Sequence, residues 1–153
     1  MSEISTYKLI KEKLQAIPNQ RLKGSWFEKV SRRFLIEHDS ANEYESIQLW
    51  SEWEKRGNEG DRGIDMVITT TSKEYIAVQC KFHQDSVSFD NLSTFFSKLQ
   101  SGVGEVGFKK GLILLKSLKR ILSILRLIGK SLILCKLKAN SPYAIRKSHA
   151  LTK

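Results

Sequence analysis

Residues 61–84, "DRGIDMVITTTSKEYIAVQCKFHQ", set the fold. Two β-branched, alternating runs, "GIDMVITT" and "EYIAVQCKF", flank a short polar turn, the pattern of an antiparallel hairpin. Yet the segment puts Asp65 in its first strand and Gln79 and Lys81 in its second. Side chains two apart on a strand share a face, so Gln79 and Lys81 project together with Ala77. Ile76, Val78 and Cys80 point to the other side. Asp65, on the neighbouring strand, reaches the same polar face near one end.

A carboxylate, an amide oxygen and a backbone carbonyl, here that of Cys80, are hard oxygen ligands of the kind Mg²⁺ takes, completed by water and substrate phosphate. A lysine beside them could orient or deprotonate an attacking water and offset charge on a phosphorane-like transition state. Metal-assisted phosphodiester hydrolysis is one use of the set. A solvated polar hairpin face is the other reading that spacing leaves open.

Outward from the hairpin, "EISTYKLIKEKLQA" (3–16) spaces Ile4, Leu9, Ile10 and Leu14 at roughly helical intervals and stops before Pro18. "SWFEKVSRRFLIEH" repeats Phe27, Val30, Phe34 and Leu35, predicting a second helix over about 25–37 with Ser25 as N-cap. "PNQRLKG" and "DSANEYES" read as loops. Gly57, Gly60 and Gly63 mark an open turn after Trp50 and Trp53, which read as core residues rather than base-stacking platforms. "SVSFDNLSTFFSKLQS" predicts a helix with Leu92, Phe95, Phe96 and Leu99 inward and Ser88 or Asp90 near its cap, and "KGLILLK" suits a buried third strand.

The chain has 153 residues, 41% of them apolar and 27% charged, enough for one domain with a hydrophobic core. Two cysteines, Cys80 and Cys135, lack metal-ligand or redox spacing, and "MSEISTYKLIKEK" lacks the apolar run of a signal peptide; free thiols in a reducing cytoplasm are expected. The net charge of +10 is unevenly placed. Residues 1–105 carry 14 Lys/Arg and 16 Asp/Glu, whereas residues 106–153 carry 12 Lys/Arg and no acid. "KSLKRILSILRLIGKSLILCK" (116–136) can be drawn as a basic amphipathic helix, but cations interrupt every run long enough to span a membrane. Leu, Ile, Lys and Ser supply 31 of the last 48 residues, a bias expected of a basic, poorly ordered tail translated out of frame after a gene disruption. The division expected is an N-terminal helix (1–20), a central domain (21–115) and that tail (116–153).

"GDRGIDMV" followed by "EYIAVQCKF" resembles the motif of the Mrr-like branch of the PD-(D/E)xK nuclease superfamily. "GSWFEKVSRRFL" looks like the first helix of that fold, and "LWSEWEKRGNEGDRGID" with "AVQCKFHQ" is particularly similar to the N-terminal nuclease domain of type ISP restriction-modification enzymes and related predicted helicases. The similarity covers roughly residues 24–115. It implies an α/β fold with a restriction endonuclease-like core, a small mixed sheet flanked by helices. It also implies a Mg²⁺-dependent DNA endonuclease, with Mn²⁺ as a substitute, acting on double-stranded DNA beside helicase and methyltransferase parts of a restriction system. The family pattern carries a metal-site acid onto Glu28, the metal-binding Asp onto Asp65, the amide that replaces the usual Glu onto Gln79 and the catalytic Lys onto Lys81.

The residues also admit other roles. Glu28, three residues after Ser25, would also complete a capping box. Asp61 reads as a loop or metal-adjacent acid, and His83 as an exposed strand-end residue rather than a general base. A catalytically silent DNA-binding or interaction module, its basic tail on phosphates, is the alternative from another class. A tail lying on anionic membranes is a third.

Overall fold

The computed structural model describes residues 3–37, 39–61, 63–82, 90–115 and 132–136. Helices α1 (Glu3–Ala16) and α2 (Gln20–Glu37) lead into strand β1 (Tyr44–Leu49). Two short 3₁₀ turns and the glycine-rich loop then give way to β2 (Met66–Thr70) and β3 (Tyr75–Lys81). A further 3₁₀ turn enters α3 (Ser93–Ser101), which precedes β4 (Lys110–Leu115); β5 (Leu132–Lys136) completes the elements.

The five strands form one mixed sheet in sequence order. β1, β2 and β3 are antiparallel, with Leu49 opposite Met66 and Met66 opposite Val78. β4 runs parallel to β3, setting Gln79 beside Ile113 and Lys81 beside Leu115, and β5 runs parallel to β4. A parallel neighbour needs a crossover, and the α3 segment supplies it. β4 is buried from Gly111 to Leu115 without alternation, as befits a strand flanked by others and covered on both faces.

Alternation along β2 and β3 divides the core in two. Val67 and Ala77 face α3, packing with Phe95, Phe96, Leu99, Ile113 and Leu115. Met66, Ile68, Ile76 and Val78 face α2, packing with Leu35, Leu112 and Leu114. Trp50 and Trp53 belong to the α3 side, 6% and 3% exposed, as core residues should be. α1 joins α2 through Leu14 and Phe27, with Phe82 against Phe27 at 5.1 Å between ring centroids. This is the α/β arrangement expected, a small mixed sheet between helices.

Three local expectations change. α2 begins at Gln20, because the Asn19 side chain accepts the N–H of Leu22 at 2.9 Å and caps the helix six residues ahead of Ser25, the expected cap. Residues 44–49, half of them read as polar loop, form β1, an edge strand whose register shifts between Tyr44 and Ser46. The helix drawn over 116–136 does not reach its end, since Leu132–Lys136 are β5; residues 116–131 lie outside the described residues. Among the described residues no helix is long and apolar enough to cross a membrane.

Candidate active site

The polar groups gather where β2 stops and β3 runs on. Val78 is the last β3 residue opposite β2. Asp65 continues the pairing by one step: its N–H donates to Val78 O at 2.8 Å, and its carbonyl accepts from Trp50 N at 2.8 Å. Beyond that point its side chain replaces the missing strand, as Oδ2 accepts the Cys80 N–H at 2.6 Å. A residue's N–H and C=O project to the same side of an extended strand, so the Cys80 carbonyl faces this gap too.

Gln79 is 2% exposed, and its Oε1 has no hydrogen-bond partner among the described residues. Buried amide oxygens are almost always satisfied, so an orphan in this place needs a reason. Lys81, half-buried, follows on the same face, between Cys80 and Phe82 whose side chains pack toward α2 and α1. The alternation expected from the sequence is therefore present: Ala77, Gln79 and Lys81 on one side, Ile76, Val78 and Cys80 on the other.

α2 brings a second acid. Because this helix starts at Gln20, Glu28 lies well inside it, and a capping box with Ser25 does not form. Burial raises the Glu28 pKa from 4.5 to about 7, reinforced by Asp65 and then Asp61 against the smaller pull of Lys29. Asp65 is raised from 3.8 to about 6, by burial first; the Cys80 N–H opposes this, Asp61 adds to it and Lys81 reduces it. Burial likewise pushes the Cys80 thiol up, with Asp65 next. Carboxylates held this reluctantly in their charged form suit a nearby cation.

The glycine-rich loop adds Asp61, whose Oδ1 accepts the Gly63 N–H at 3.0 Å. Gly63 has φ +83°, and a Cβ there would stand 3.0 Å from Phe95 N and 3.4 Å from Gln79 Nε2, so only glycine lets the loop lie between α3 and β3. The sequence marked these glycines as a turn but not as a close approach. It also gave no sign of two ion pairs between distant segments, Arg32 with Glu52 at 3.1 Å and Lys98 with Glu59 at 2.7 Å. His83 lies outside the described residues.

Among the described residues no three His, Cys, Asp or Glu side chains converge tightly enough to hold a metal ion. The oxygen set that fits a hard cation is instead mixed: the Asp65 carboxylate, the unpartnered Gln79 Oε1 and the Cys80 carbonyl, with Glu28 as a flanking acid.

The model of the restriction endonuclease family Mrr_cat_2 matches residues 36–120, which span the hairpin and its acid, amide and lysine. The chain belongs to this restriction endonuclease family. Among solved structures it is similar to the ATP-dependent Type ISP restriction-modification enzyme LlaBIII bound to DNA, with a TM-score of 0.58 and 22% identity over 81% of this chain. That likeness shows a shared fold, and the chain spans 8% of that enzyme's length. A search of the curated proteins finds no match.

Proposed function

We propose that the chain is a divalent-cation-dependent endonuclease domain of a restriction system, hydrolysing phosphodiester bonds in double-stranded DNA. The observation that carries this reading is the buried, unpartnered Gln79 Oε1 beside Asp65, in a chain of the restriction endonuclease family. Asp65, Gln79 and the Cys80 carbonyl would hold Mg²⁺, or Mn²⁺ in its place, and Glu28 would complete the acidic side. When bound, the cation supplies Lewis-acid polarisation of the phosphodiester and lowers the pKa of water.

The chain's own groups do the rest. Lys81 extends from the end of β3 on the Gln79 face, where its ammonium can orient the attacking water and stabilise charge gathering on the phosphate oxygens. Asp65 is fixed by Cys80 before substrate arrives, so no reorganisation of the acid is needed during the reaction. Helicase and methyltransferase parts are the partners this reading adds, as engines and target selectors for the cut.

Relaxation of supercoiled plasmid with Mg²⁺ tests it. Lys81→Ala removes a charge from a polar cleft without opening a cavity, so the fold and DNA binding should persist while cleavage falls on the order of a hundredfold or more. Equal cleavage by Lys81→Ala overturns the assignment of Lys81. DNA binding without cleavage by the wild-type chain favours the silent DNA-binding module, for which the 12 cations and absent acids of residues 106–153 speak.

A further inference from the structure

The loop that carries Asp61 contains Gly57, Gly60 and Gly63, and within it the Glu59 N–H donates to Arg56 O at 3.1 Å and the Gly63 N–H to Asp61 Oδ1 at 3.0 Å. Gly57 closes the preceding 3₁₀ turn at φ +58°, and nothing lies within 4 Å of where a Cβ would sit on Gly57 or Gly60. The loop's own hydrogen bonds are local, and it is tied to the rest of the domain by α3. Glu59 Oε2 meets Lys98 Nζ at 2.7 Å, with the two side chains 16% (Lys98) and 32% (Glu59) exposed, the least exposed ion pair among the described residues. Four residues on, Gly63 backs against Phe95 N. Phe95 and Lys98 are three apart on one helix face, so Glu59 and Gly63 are both anchored to a single turn of α3. Asp61 sits between the anchors, and Asp65 follows the second by two residues.

We propose that Lys98 is a positioning residue, whose ion pair with Glu59 latches the glycine-rich loop onto α3 and thereby fixes Asp61 relative to Asp65, which β3 already holds. The latch is a statement about this chain's loop; its effect on cation binding rests on the function proposed above. An exposed ion pair would contribute little, but this one is shielded on the Lys98 side, and removing either partner leaves the other half-buried and unpaired. Arg56 supports the same segment from within, its Nη1 donating to Glu59 O at 3.2 Å.

The test uses the full 153-residue chain, free of metal, as wild type, Lys98→Gln, Glu59→Gln and the reversed pair Glu59→Lys with Lys98→Glu. Amide hydrogen exchange should quicken over 57–65 in both single variants, stay unchanged over β4, and return toward wild type in the reversed pair. Titration with Mn²⁺ should show about tenfold weaker binding in the single variants, the scale of lost outer-shell support at metal sites, and recovery in the reversed pair. Unchanged exchange over 57–65 overturns the latch. Faster exchange that includes β4 overturns it as well, since the pair would then only stabilise the domain. Quickened loop exchange with unaltered Mn²⁺ affinity overturns the positioning role. Absence of Mn²⁺ binding in the wild type overturns the proposed function and the positioning of a cation site together, while loop exchange still decides the latch.

Discussion

The carboxylate of Asp65 accepts the backbone N–H of Cys80 at 2.6 Å, so the acid ahead of β2 is held by the strand that carries Gln79 and Lys81. β3 outruns β2 by three residues, and the side chain of Asp65 takes the place of the strand that is not there. One hydrogen bond thus ends the antiparallel sheet and fixes the acid. The arrangement costs stability when both acids are charged, because Asp65 and Glu28 are desolvated and each feels the charge of Asp61.

The pH dependence of stability follows from those two carboxyls. Both pKa values are raised by folding, Asp65 from 3.8 to about 6 and Glu28 from 4.5 to about 7. The folded state then binds protons more tightly than the unfolded one, so this stabilisation is full below about pH 4 and is lost as pH rises through 6 to 7. Asp65→Asn keeps an acceptor for the Cys80 N–H and removes the buried charge. In EDTA at pH 8 it should be more stable than wild type by up to about 3 kcal/mol, since each pKa unit corresponds to about 1.4 kcal/mol. At pH 4 the advantage should vanish. Denaturant melts at the two pH values check this; a variant less stable than wild type at pH 8 contradicts it.

Much of the site was legible because strands impose a period of two. The alternation that puts Ala77, Gln79 and Lys81 on one face survives as two separate core clusters, one for each parity. α3 and the 3₁₀ turn that enters it were legible for a similar reason, the inward residues Leu92, Phe95, Phe96 and Leu99 all being buried. β1 was not, since "YESIQL" pairs through only one strand and most of its residues are half-exposed or exposed, which leaves hydrophobic alternation faint. The Lys98–Glu59 pair bridges 39 positions, and nothing local in either segment announces the other. The start of α2 failed differently: Ser25 before an apolar repeat outcompeted Asn19 as a signal, although Asn19 follows Pro18 and precedes a run of helix formers.

That competition between caps is measurable. Asn19 Oδ1 satisfies the N–H of Leu22, one of the donors a helix start leaves without an intrahelical partner. Asn19→Ala should therefore cost about 1 kcal/mol. Ser25 is exposed inside the helix, where alanine is the better helix former, so Ser25→Ala should be neutral or stabilising by a few tenths of a kcal/mol. Chemical denaturation of the two variants gives the comparison. Equal destabilisation by both would return the cap to Ser25.

Gln79 offers the most direct separation of folding from function. A buried amide oxygen without a partner costs about 1–3 kcal/mol, and replacing the group by an apolar one of similar shape relieves that cost. Gln79→Met should accordingly raise the melting temperature of the metal-free protein, by about 2–4 °C for each kcal/mol regained. Gln79→Glu should lower it at pH 8, because a further carboxylate would be buried beside Asp65. Addition of Mn²⁺ should invert the order. A ligand that binds only the folded state stabilises it, so wild type and Gln79→Glu should gain melting temperature with the cation while Gln79→Met should gain little. Thermal melts of the three proteins in EDTA and in millimolar Mn²⁺ suffice. If Gln79→Met is destabilised without metal and gains as much as wild type with it, the orphaned oxygen is a packing accident, and the cation site must be sought elsewhere.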